Sequence, residues 1–301
     1  MTYQTSSRLQ IYKMRTITNF YDYELLDASC GEKLERWKDI LLIRPDPQII
    51  WKTEKAHPLW KNAHARYIRS NAGGGHWEKY KNIPDVWSVK FKNLTFNLKP
   101  MGFKHTGLFP EQAVNWDFAI NKLKNIDNAN VLNLFGYTGA ASLACAFAGA
   151  KVTHVDASKG MVLWAKDNAK ASGLEDKPIR WLVDDCVKFV KREIRRQNKY
   201  QAIIMDPPSY GKGPSGEIWR LEDNIYELLE LCEQLLADDA VFFILNSYTT
   251  GLSPSVMEYM MSSIISKKHG GKVTSDEIGI KVTQSKLVLP CGNTAIWQKT
   301  F

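Results

Sequence analysis

Apolar runs alternate with amphipathic segments through the last two thirds of this 301-residue chain. Alternation of strands and helices at such a spacing predicts a doubly wound, mostly parallel α/β sheet. Extended runs near 272–278, 285–289 and 294–299 follow this alternating core. The hydrophobic periodicity predicts core strands near 131–135, 152–156, 179–183, 201–205 and 240–245, and helices near 140–149, 159–172, 186–197, 222–236 and 254–267.

The part of the chain before this core has shorter extended runs separated by Pro and Gly. Residues 86–99 alternate with a period of two, which predicts a hairpin around Lys92 and Asn93. Residues 39–51 predict two strands joined by a Pro-containing turn, and residues 71–77 predict a flexible loop. The sequence therefore predicts a flexible tail at 1–21, a small β-rich domain at 22–105 and an α/β domain at 106–301.

The first strand of the core runs into a tight turn with two glycines, Gly136 and Gly139, and then into an Ala-rich helix. Because glycine has no Cβ, such a turn lets the backbone approach a ligand closely. The next strand ends in Asp156, which is placed to bind ribose hydroxyls. The alternative role for Asp156 is a helix N-cap, although Ser158 can serve as the cap instead.

A later strand ends in Asp206 and is followed by Pro207 and Pro208, which forbid a helix and hold the backbone rigid. An acid at this poorly hydrated end of a sheet needs a role, because burial of an unpaired carboxylate is costly. A nucleoside site at one strand end and a stiff acidic corner at another favour methyl transfer from S-adenosylmethionine.

Residues 131–206 resemble the class I S-adenosylmethionine-dependent methyltransferases. The segments VLNLFGYTGAAS and AIIMDPPSY, together with Asp156 and the acidic pair Asp184-Asp185, fall in the family's order. The branch that the chain resembles is the ribosomal RNA large-subunit methyltransferase group, which has a similar FxYTG loop and DPP corner. The segment GLFPEQAVNW at 107–116 is similar to the part of that group that reaches over the cofactor. The resemblance implies a Rossmann-like fold with an antiparallel final hairpin, and S-adenosyl-L-methionine as cofactor.

The resemblance also implies a set of cofactor contacts. Asp156 would hold the ribose, Asp185 would accept the adenine amine, and the backbone of Cys186 would face the ring. Asp184 competes with Asp185 for this role, and a solvated acidic turn is the alternative for both. Amide groups that open the helix after the glycines can meet the methionine carboxylate. The predicted cofactor-binding residues are Gln112, Phe135, Gly136, Tyr137, Thr138, Gly139, Asp156, Asp185, Cys186 and Asp206.

The DPP corner is similar to the (N/D)PP(Y/F) corner of nucleic-acid amino methyltransferases. There the first side chain and a backbone carbonyl accept hydrogens from a planar nitrogen, and the aromatic ring stacks on it. Here Ser209 occupies the aromatic position and Tyr210 follows one residue later, which departs from that pattern. The predicted catalytic residues are Asp206, Pro207, Pro208, Ser209 and Tyr210.

Cysteines distinguish two reaction types within the resembling group. Its C5-cytosine methyltransferases need a thiolate just after the fifth core strand, where residues 244–249 read ILNSYT. Cys291 lies in the predicted final hairpin and is better explained as a small buried hydrophobe. We therefore predict direct in-line transfer rather than covalent C5 chemistry. The Gly-rich segment 211–216, followed by Trp219, is either a cover for the substrate or a disordered connector.

The net charge of +8 lies almost wholly in the first hundred residues, which hold 17 Lys/Arg against 10 Asp/Glu. Basic and aromatic side chains together predict RNA binding, with phosphates met by charge and unpaired bases by stacking. A β-rich domain with tryptophans in its core is an equal alternative. The basic helix at 186–197 is either a solvated face or an RNA contact. Five of the ten tryptophans lie in this part of the chain: Trp37, Trp51, Trp60, Trp77 and Trp87.

Other features bear on location. The longest apolar runs fall short of the about 18 residues of a membrane helix. Five scattered cysteines without a CxxC pair argue against a metal site and a disulfide scaffold, and favour a reducing cytoplasm. The first 21 residues lack the apolar stretch of a signal peptide, so we expect a tail there.

The sequence thus predicts a methyltransferase for a base of structured, ribosomal RNA. Two alternatives stay open. One is a methyltransferase for a protein or small molecule, whose basic N-terminal domain is merely structural. The other is a cofactor-binding module without catalysis.

Overall fold

The computed structural model describes residues 14–70, 74–212, 218–249 and 251–300. The first eight strands are β1 (Arg15–Thr16), β2 (Tyr23–Ser29), β3 (Glu32–Trp37), β4 (Ile40–Pro45), β5 (Ala65–Arg69), β6 (Gly75–Lys79), β7 (Trp87–Phe91) and β8 (Leu94–Leu98). Strands β2 to β6 form one sheet in sequential order, and β7 and β8 form a separate antiparallel hairpin. The predicted β-rich part and its hairpin are therefore confirmed.

Two local predictions in this part were wrong. Residues 46–57 contain no strand, because the chain turns after Pro45, where the Ile49 amide donates a hydrogen bond to the Asp46 carbonyl at 3.2 Å. The loop predicted at 71–77 ends at Gly75, where β6 begins its antiparallel pairing with β5. Of that loop, residues 71–73 lie outside the described residues.

The second part of the chain alternates as predicted. Its elements are α1 (Ala113–Leu123), β9 (Asn130–Leu134), α2 (Ala140–Phe147), β10 (Lys151–Asp156), α3 (Lys159–Ala171), β11 (Ile179–Val183), α4 (Cys186–Arg195), β12 (Ala202–Met205), β13 (Tyr210–Lys212), β14 (Ile218–Arg220), α5 (Leu221–Glu233), β15 (Phe242–Ser247), α6 (Pro254–Met261), α7 (Lys267–His269), β16 (Lys272–Lys281) and β17 (Val288–Gln298). The last two extended runs of the prediction merge into the single long strand β17.

The main sheet has eight strands in the order β1-β16-β17-β15-β12-β9-β10-β11. Strands β15, β12, β9, β10 and β11 run parallel, whereas β17 is antiparallel to both β15 and β16. The doubly wound sheet with an antiparallel final hairpin is confirmed. The strand order reverses at β9, between β10 and β12, and ligands of such sheets bind at the carboxyl ends beside this reversal.

One of the hydrophobic clusters contains residues from both parts of the molecule. Phe20, Trp37 and Phe96 belong to the same buried cluster as Trp116 on α1 and Leu143 on α2. The division into domains at 22–105 and 106–301 thus stays a prediction. Within the described ranges, the helices are too short or too polar to cross a membrane.

Part of the segment predicted as a tail makes contacts with the rest of the structure. Arg15–Thr16 forms β1, which pairs in parallel with Ile278 and Gly279 of β16, and Phe20 is buried. Within residues 14–21, β1 and Phe20 make these contacts, whereas Tyr21 is exposed, so the boundary of the tail at residue 21 stays a prediction. Residues 1–13 of the predicted tail lie outside the described residues.

Candidate functional site

A cavity of about 460 Å³ lies at the carboxyl ends of β9, β10, β11 and β12. A smaller pocket of about 60 Å³ adjoins it and shares the walls Phe109, Phe135, Tyr137 and Asp206. Gly139 and Tyr210, both predicted site residues, line neither space. The predicted residues that line one or both are Gln112, Phe135, Gly136, Tyr137, Thr138, Asp156, Asp185, Cys186, Asp206, Pro207, Pro208 and Ser209.

The loop after β9 has a backbone that is strained at two bulky residues. Phe135 and Tyr137 have φ angles of 55° and 50°, in the left-handed region. A Cβ on Gly136 would lie 2.4 Å from the His154 imidazole, and one on Gly139 would lie 2.8 Å from the Ala165 Cβ. Both glycines are thus required where the loop packs on β10 and α3. Gly136 also lines the smaller pocket, and the approach of the loop backbone to a ligand stays a prediction.

Asp156 ties this loop to the end of β10. Its Oδ2 accepts a hydrogen bond from the Tyr137 amide at 2.9 Å, and its Oδ1 accepts one from the Ser158 amide at 2.8 Å. Burial raises the pKa of Asp156, and these two amides partly offset the rise. Ser158 is the N-cap of α3, so Asp156 is not the cap. A carboxylate has about four acceptor positions, and the described residues occupy two of them, which leaves two for hydroxyl donors.

The two acids after β11 have different surroundings. Asp184 forms an ion pair with Arg192, whereas Asp185 lines the cavity. Asp185 is also the N-cap of α4, because its Oδ1 accepts a hydrogen bond from the Lys188 amide at 2.8 Å. The capping role escaped the sequence analysis. It fixes the Asp185 side chain at the cavity wall.

Cys186 and Cys291 are both poorly suited to nucleophilic attack. The Cys186 sulfur accepts a hydrogen bond from the Phe135 amide at 3.4 Å and lies in the core. Burial raises the pKa of both thiols well above the ordinary value, and the thiolate is the reactive form. All five cysteines are free. Among the described residues, no group of three or more His, Cys, Asp and Glu side chains is placed to hold a metal ion.

Asp206 follows β12 and lines both the cavity and the smaller pocket. Burial, with the nearby charge of Glu111, raises the pKa of Asp206 to about 7. Within the described part of the chain its carboxylate has no ion pair, and its one side-chain hydrogen bond comes from Gln112 Nε2 at 3.4 Å. The corner therefore holds a carboxylate whose acceptor capacity is mostly unused.

A buried network of amides orients Gln112. Asn115 Nδ2 donates to Gln112 Oε1 at 2.8 Å, so Gln112 Nε2 faces Asp206 and donates to the Tyr248 hydroxyl at 2.8 Å. Asn115 is held in turn by Asn246 Oδ1 at 3.0 Å. Gln112 and Asn115 are three residues apart, a spacing that places side chains on one helical face. That signal was present in the sequence but was not used.

Aromatic side chains that the sequence analysis missed form much of the cavity wall. The Phe109 ring lies 5.2 Å from His105, 5.5 Å from Tyr137 and 5.7 Å from Tyr248. Burial, followed by the charges of Arg44 and Lys104, lowers the pKa of His105 to about 4, so it is neutral at pH 7. Tyr248 comes just after β15, and this position at a strand end could have identified it.

A protein-family model described as "S-adenosylmethionine-dependent methyltransferase" matches residues 58–257. The chain belongs to this family. A solved S-adenosylmethionine-dependent methyltransferase from Agrobacterium tumefaciens is 35% identical, with a TM-score of 0.90 over 96% of this chain and 94% of that chain. A putative methyltransferase named SMU.776, solved with S-adenosylhomocysteine, shares the fold at 18% identity and a TM-score of 0.70, over 93% of this chain and 76% of that one.

Among curated proteins, this methyltransferase is similar to ribosomal RNA large subunit methyltransferase K/L. The protein from Shewanella frigidimarina is 33% identical over 56% of this chain and 23% of its own length. The one from Shewanella loihica is 32% identical over 63% of this chain and 24% of its own length. The aligned part thus spans about a quarter of these relatives.

The cofactor of the methyltransferase is S-adenosylmethionine, and the residues of the site fit it. Helix α2 begins without a side-chain cap, and its first residues Ala140 and Ala141 line the smaller pocket. Uncapped amides at a helix start suit the carboxylate of a methionine moiety. Asp156 offers open acceptor positions to hydroxyls at the other end of the site.

Proposed function

We propose that this enzyme methylates a base of structured RNA, ribosomal RNA by first choice, through direct in-line transfer. The observation that carries the proposal is Asp206, a half-buried carboxylate without an ion pair among the described residues, at the wall between the two spaces. The bound cofactor supplies a methyl group already activated by its sulfonium. The protein therefore needs to position the acceptor atom and exclude water, and it needs no strong base.

We assign the cofactor contacts by the chemistry of each residue. Asp156 accepts hydrogen bonds from the ribose hydroxyls, and Asp185 accepts one from the adenine amine, with the backbone of Cys186 against the ring. Gln112 and the loop from Phe135 to Gly139 enclose the methionine end. The support is that the two acids line one cavity while the loop and Gln112 line the pocket beside it.

At the reacting end, ionised Asp206 accepts a hydrogen bond from the planar nitrogen that receives the methyl group. Gln112 Nε2 holds one carboxylate oxygen, which leaves the other for the substrate. The pKa near 7 lets Asp206 ionise at neutral pH without an ion-pair partner. Pro207 and Pro208 remove backbone freedom that would blur the position of the carboxylate. Raised thiol pKa values at Cys186 and Cys291 support direct rather than covalent transfer.

Cations beside the cavity support an RNA substrate. Lys104 adjoins the cavity-lining His105, and burial together with Lys33 and Arg44 lowers the pKa of Lys104 to about 8. Arg69 is exposed and close enough to act on Lys104 electrostatically. Phosphates near the cavity mouth would meet these charges. The relatives named as ribosomal RNA methyltransferases point to the same substrate class.

Two features that we had considered for RNA contact lend it little support. The five N-terminal tryptophans are buried or half-buried, and Trp51, Trp60 and Trp77 donate their indole hydrogens within the protein. They act as core residues, which was the alternative. On α4, Arg192 and Lys191 form ion pairs with Asp184 and Glu227.

The test compares ribosomal RNA from a strain that lacks the gene with RNA from its parent, by mass spectrometry of nucleosides. We expect one methylated nucleoside to be absent from the deletion strain and restored by the purified enzyme with S-adenosylmethionine. RNA binding should weaken steeply as salt rises, because phosphate contacts release counterions. Identical nucleosides in both strains, with turnover on a protein or small molecule instead, would overturn the RNA assignment. A cytoplasmic location stays part of the proposal, and the five free cysteines agree with it.

A further inference from the structure

The DPP corner lacks an aromatic side chain where a planar substrate would need one. The Ser209 hydroxyl accepts a hydrogen bond from Thr249 Oγ1 at 2.6 Å, which is a structural contact. Tyr210 is 53% exposed, lies in β13 and does not line the cavity. The two residues that follow the prolines therefore offer no ring to the substrate.

Trp219 supplies a ring at this place from the next strand. It pairs with Gly211 across the antiparallel hairpin of β13 and β14, and it lines the cavity. Its indole Nε1 donates a hydrogen bond to the Pro208 carbonyl at 2.6 Å. Its ring lies 5.6 Å from the ring of Phe135, which is in the loop after β9.

These contacts fix the indole at two points. The hydrogen bond joins Trp219 to the corner itself, and the Phe135 contact joins it to the loop that walls both spaces. A ring held in this way has already lost its rotamer freedom, so stacking on it costs the complex little entropy. An indole ring can stack on any nucleobase, because every base has a flat aromatic face.

We propose that Trp219 takes the aromatic position of the DPP corner, and that the nitrogen methylated belongs to a planar heteroaromatic base, an unpaired nucleobase stacked on this indole. The inference rests on the proposed function and specifies its substrate class. Asp206 orients the edge of the base, and Trp219 fixes its plane. Because the two tasks differ, substitution of Asp206 should lower kcat, whereas substitution of Trp219 should raise KM for RNA.

The test uses three substitutions in the full chain with ribosomal RNA from the deletion strain as substrate. Trp219→Leu fills the space without a ring, Trp219→Phe keeps a ring but loses the hydrogen bond to Pro208, and Ile218→Ala is the control. Ile218 is the neighbour in β14, is 56% exposed and does not line the cavity. We expect KM for RNA to rise about 10-fold or more in Trp219→Leu, less in Trp219→Phe, and not in Ile218→Ala. Affinity for S-adenosylhomocysteine, measured by calorimetry, should stay at the wild-type value in all three.

The outcomes separate this inference from the proposed function. Wild-type enzyme without activity on that RNA would contradict the proposed function itself. Activity on RNA with an unchanged KM in Trp219→Leu would leave the function standing and overturn the stacking role. A loss of S-adenosylhomocysteine affinity equal to the loss of activity would place Trp219 at the cofactor and overturn it as well. If Trp219→Leu fails to fold, Trp219→Phe decides, because it must then show a raised KM with intact cofactor binding.

Discussion

Glu35 in the N-terminal sheet is fully buried, Asp206 at the end of β12 in the main sheet is half-buried, and their pKa values shift in opposite directions. Glu35 accepts hydrogen bonds from Arg44 Nε at 2.6 Å, Arg44 Nη2 at 2.8 Å and the Tyr23 hydroxyl at 2.9 Å. Burial alone would raise the pKa of Glu35, but Arg44 and Lys33 outweigh it and lower the pKa to about 2. Asp206 has no such partner among the described residues, and its pKa rises to about 7.

The difference separates a carboxylate that stabilises the fold from one whose oxygens remain available to a ligand. A paired carboxylate stabilises the fold in its charged form and has no capacity left for a ligand. An unpaired carboxylate destabilises the fold when it ionises, and such groups concentrate at functional sites. The Glu35 pair of the N-terminal sheet thus contributes stability, whereas Asp206 at the end of β12 reduces stability when ionised but keeps its oxygens available to a ligand.

The largest effect should follow from breaking the Glu35 pair. Glu35→Gln leaves the Arg44 charge buried without its counter-ion, and we expect a loss of about 3–5 kcal/mol of unfolding free energy. Urea unfolding measures it. The control is Glu227→Gln, which breaks the exposed pair with Lys191 and should cost about 0–1 kcal/mol.

The Glu35–Arg44 pair should also make the free energy of unfolding depend on pH in acid solution. Because the pKa of Glu35 is lower when folded, its contribution is present above 4.5 and is lost as pH falls towards about 2. The stability gap between wild type and Glu35→Gln should therefore close over that interval. A gap that stays constant would show that the Glu35 charge is not what stabilises the sheet.

The next largest effect should come from Asp206→Ala, with kcat falling roughly 100-fold, because a reacting atom misplaced by about 1 Å can cost that much. Asp206→Asn keeps one acceptor oxygen and should fall less. Single-turnover rates measure both. Cofactor affinity should stay nearly intact.

Stability distinguishes this prediction from a purely structural role. Ionisation of Asp206 costs the folded state an amount that grows as pH rises from 3.8 to about 7. Asp206→Asn should therefore melt at or above the wild-type temperature at alkaline pH. Lower melting temperature and weaker cofactor binding, with a normal rate in the folded fraction, would remove Asp206 from catalysis.

Asp156→Ala should weaken binding of S-adenosylmethionine by about 1.5–3 kcal/mol, the range for a charge-assisted hydrogen bond. Titration calorimetry measures the loss. Asp184→Ala is the matched control, because Asp184 is paired with Arg192 and does not line the cavity. Equal affinities in the Asp156 variant and wild type would refute the ribose contact.

The smallest effect should follow from changing Cys186 and Cys291 together to Ser, which ought to keep most of the turnover. Both thiols have raised pKa values and so little thiolate. The check is steady-state turnover together with incubation on RNA that contains 5-fluorocytosine. A covalent adduct, or a loss beyond about 100-fold in folded protein, would restore the C5 mechanism.

Local pattern was sufficient to predict the parallel core. Period and spacing identified its strands, and strand ends are where Asp156, Asp185 and Asp206 line the cavity. The sequence allowed two roles for Asp156, a ribose contact or a helix N-cap. In the structure Ser158 is the N-cap of α3, and Asp156 lines the cavity. These features depend on residues close together in the chain or on a common sheet edge.

Contacts between distant residues could not be predicted in this way. β1 is two residues long and pairs with Ile278 and Gly279, far along the chain. The Gln112–Tyr248 hydrogen bond joins residues 136 apart. Burial of Trp37 and Trp87 depends on a hydrophobic cluster that they share with α1 and α2. Composition alone gives no information on such packing.

The central claim is that Asp206 acts as an ionised acceptor at a site that leaves it unpaired. The most direct test is the single-turnover rate from about pH 5 to about pH 9, in the wild type and in Asp206→Asn with cofactor bound. We predict that the wild-type rate rises with pH through an apparent pKa at or below about 7. The pKa of Asp206 is about 7 without cofactor, and the positive charge of the bound sulfonium should lower it. The rise should be absent from Asp206→Asn. The same pH profile in both proteins would contradict the account.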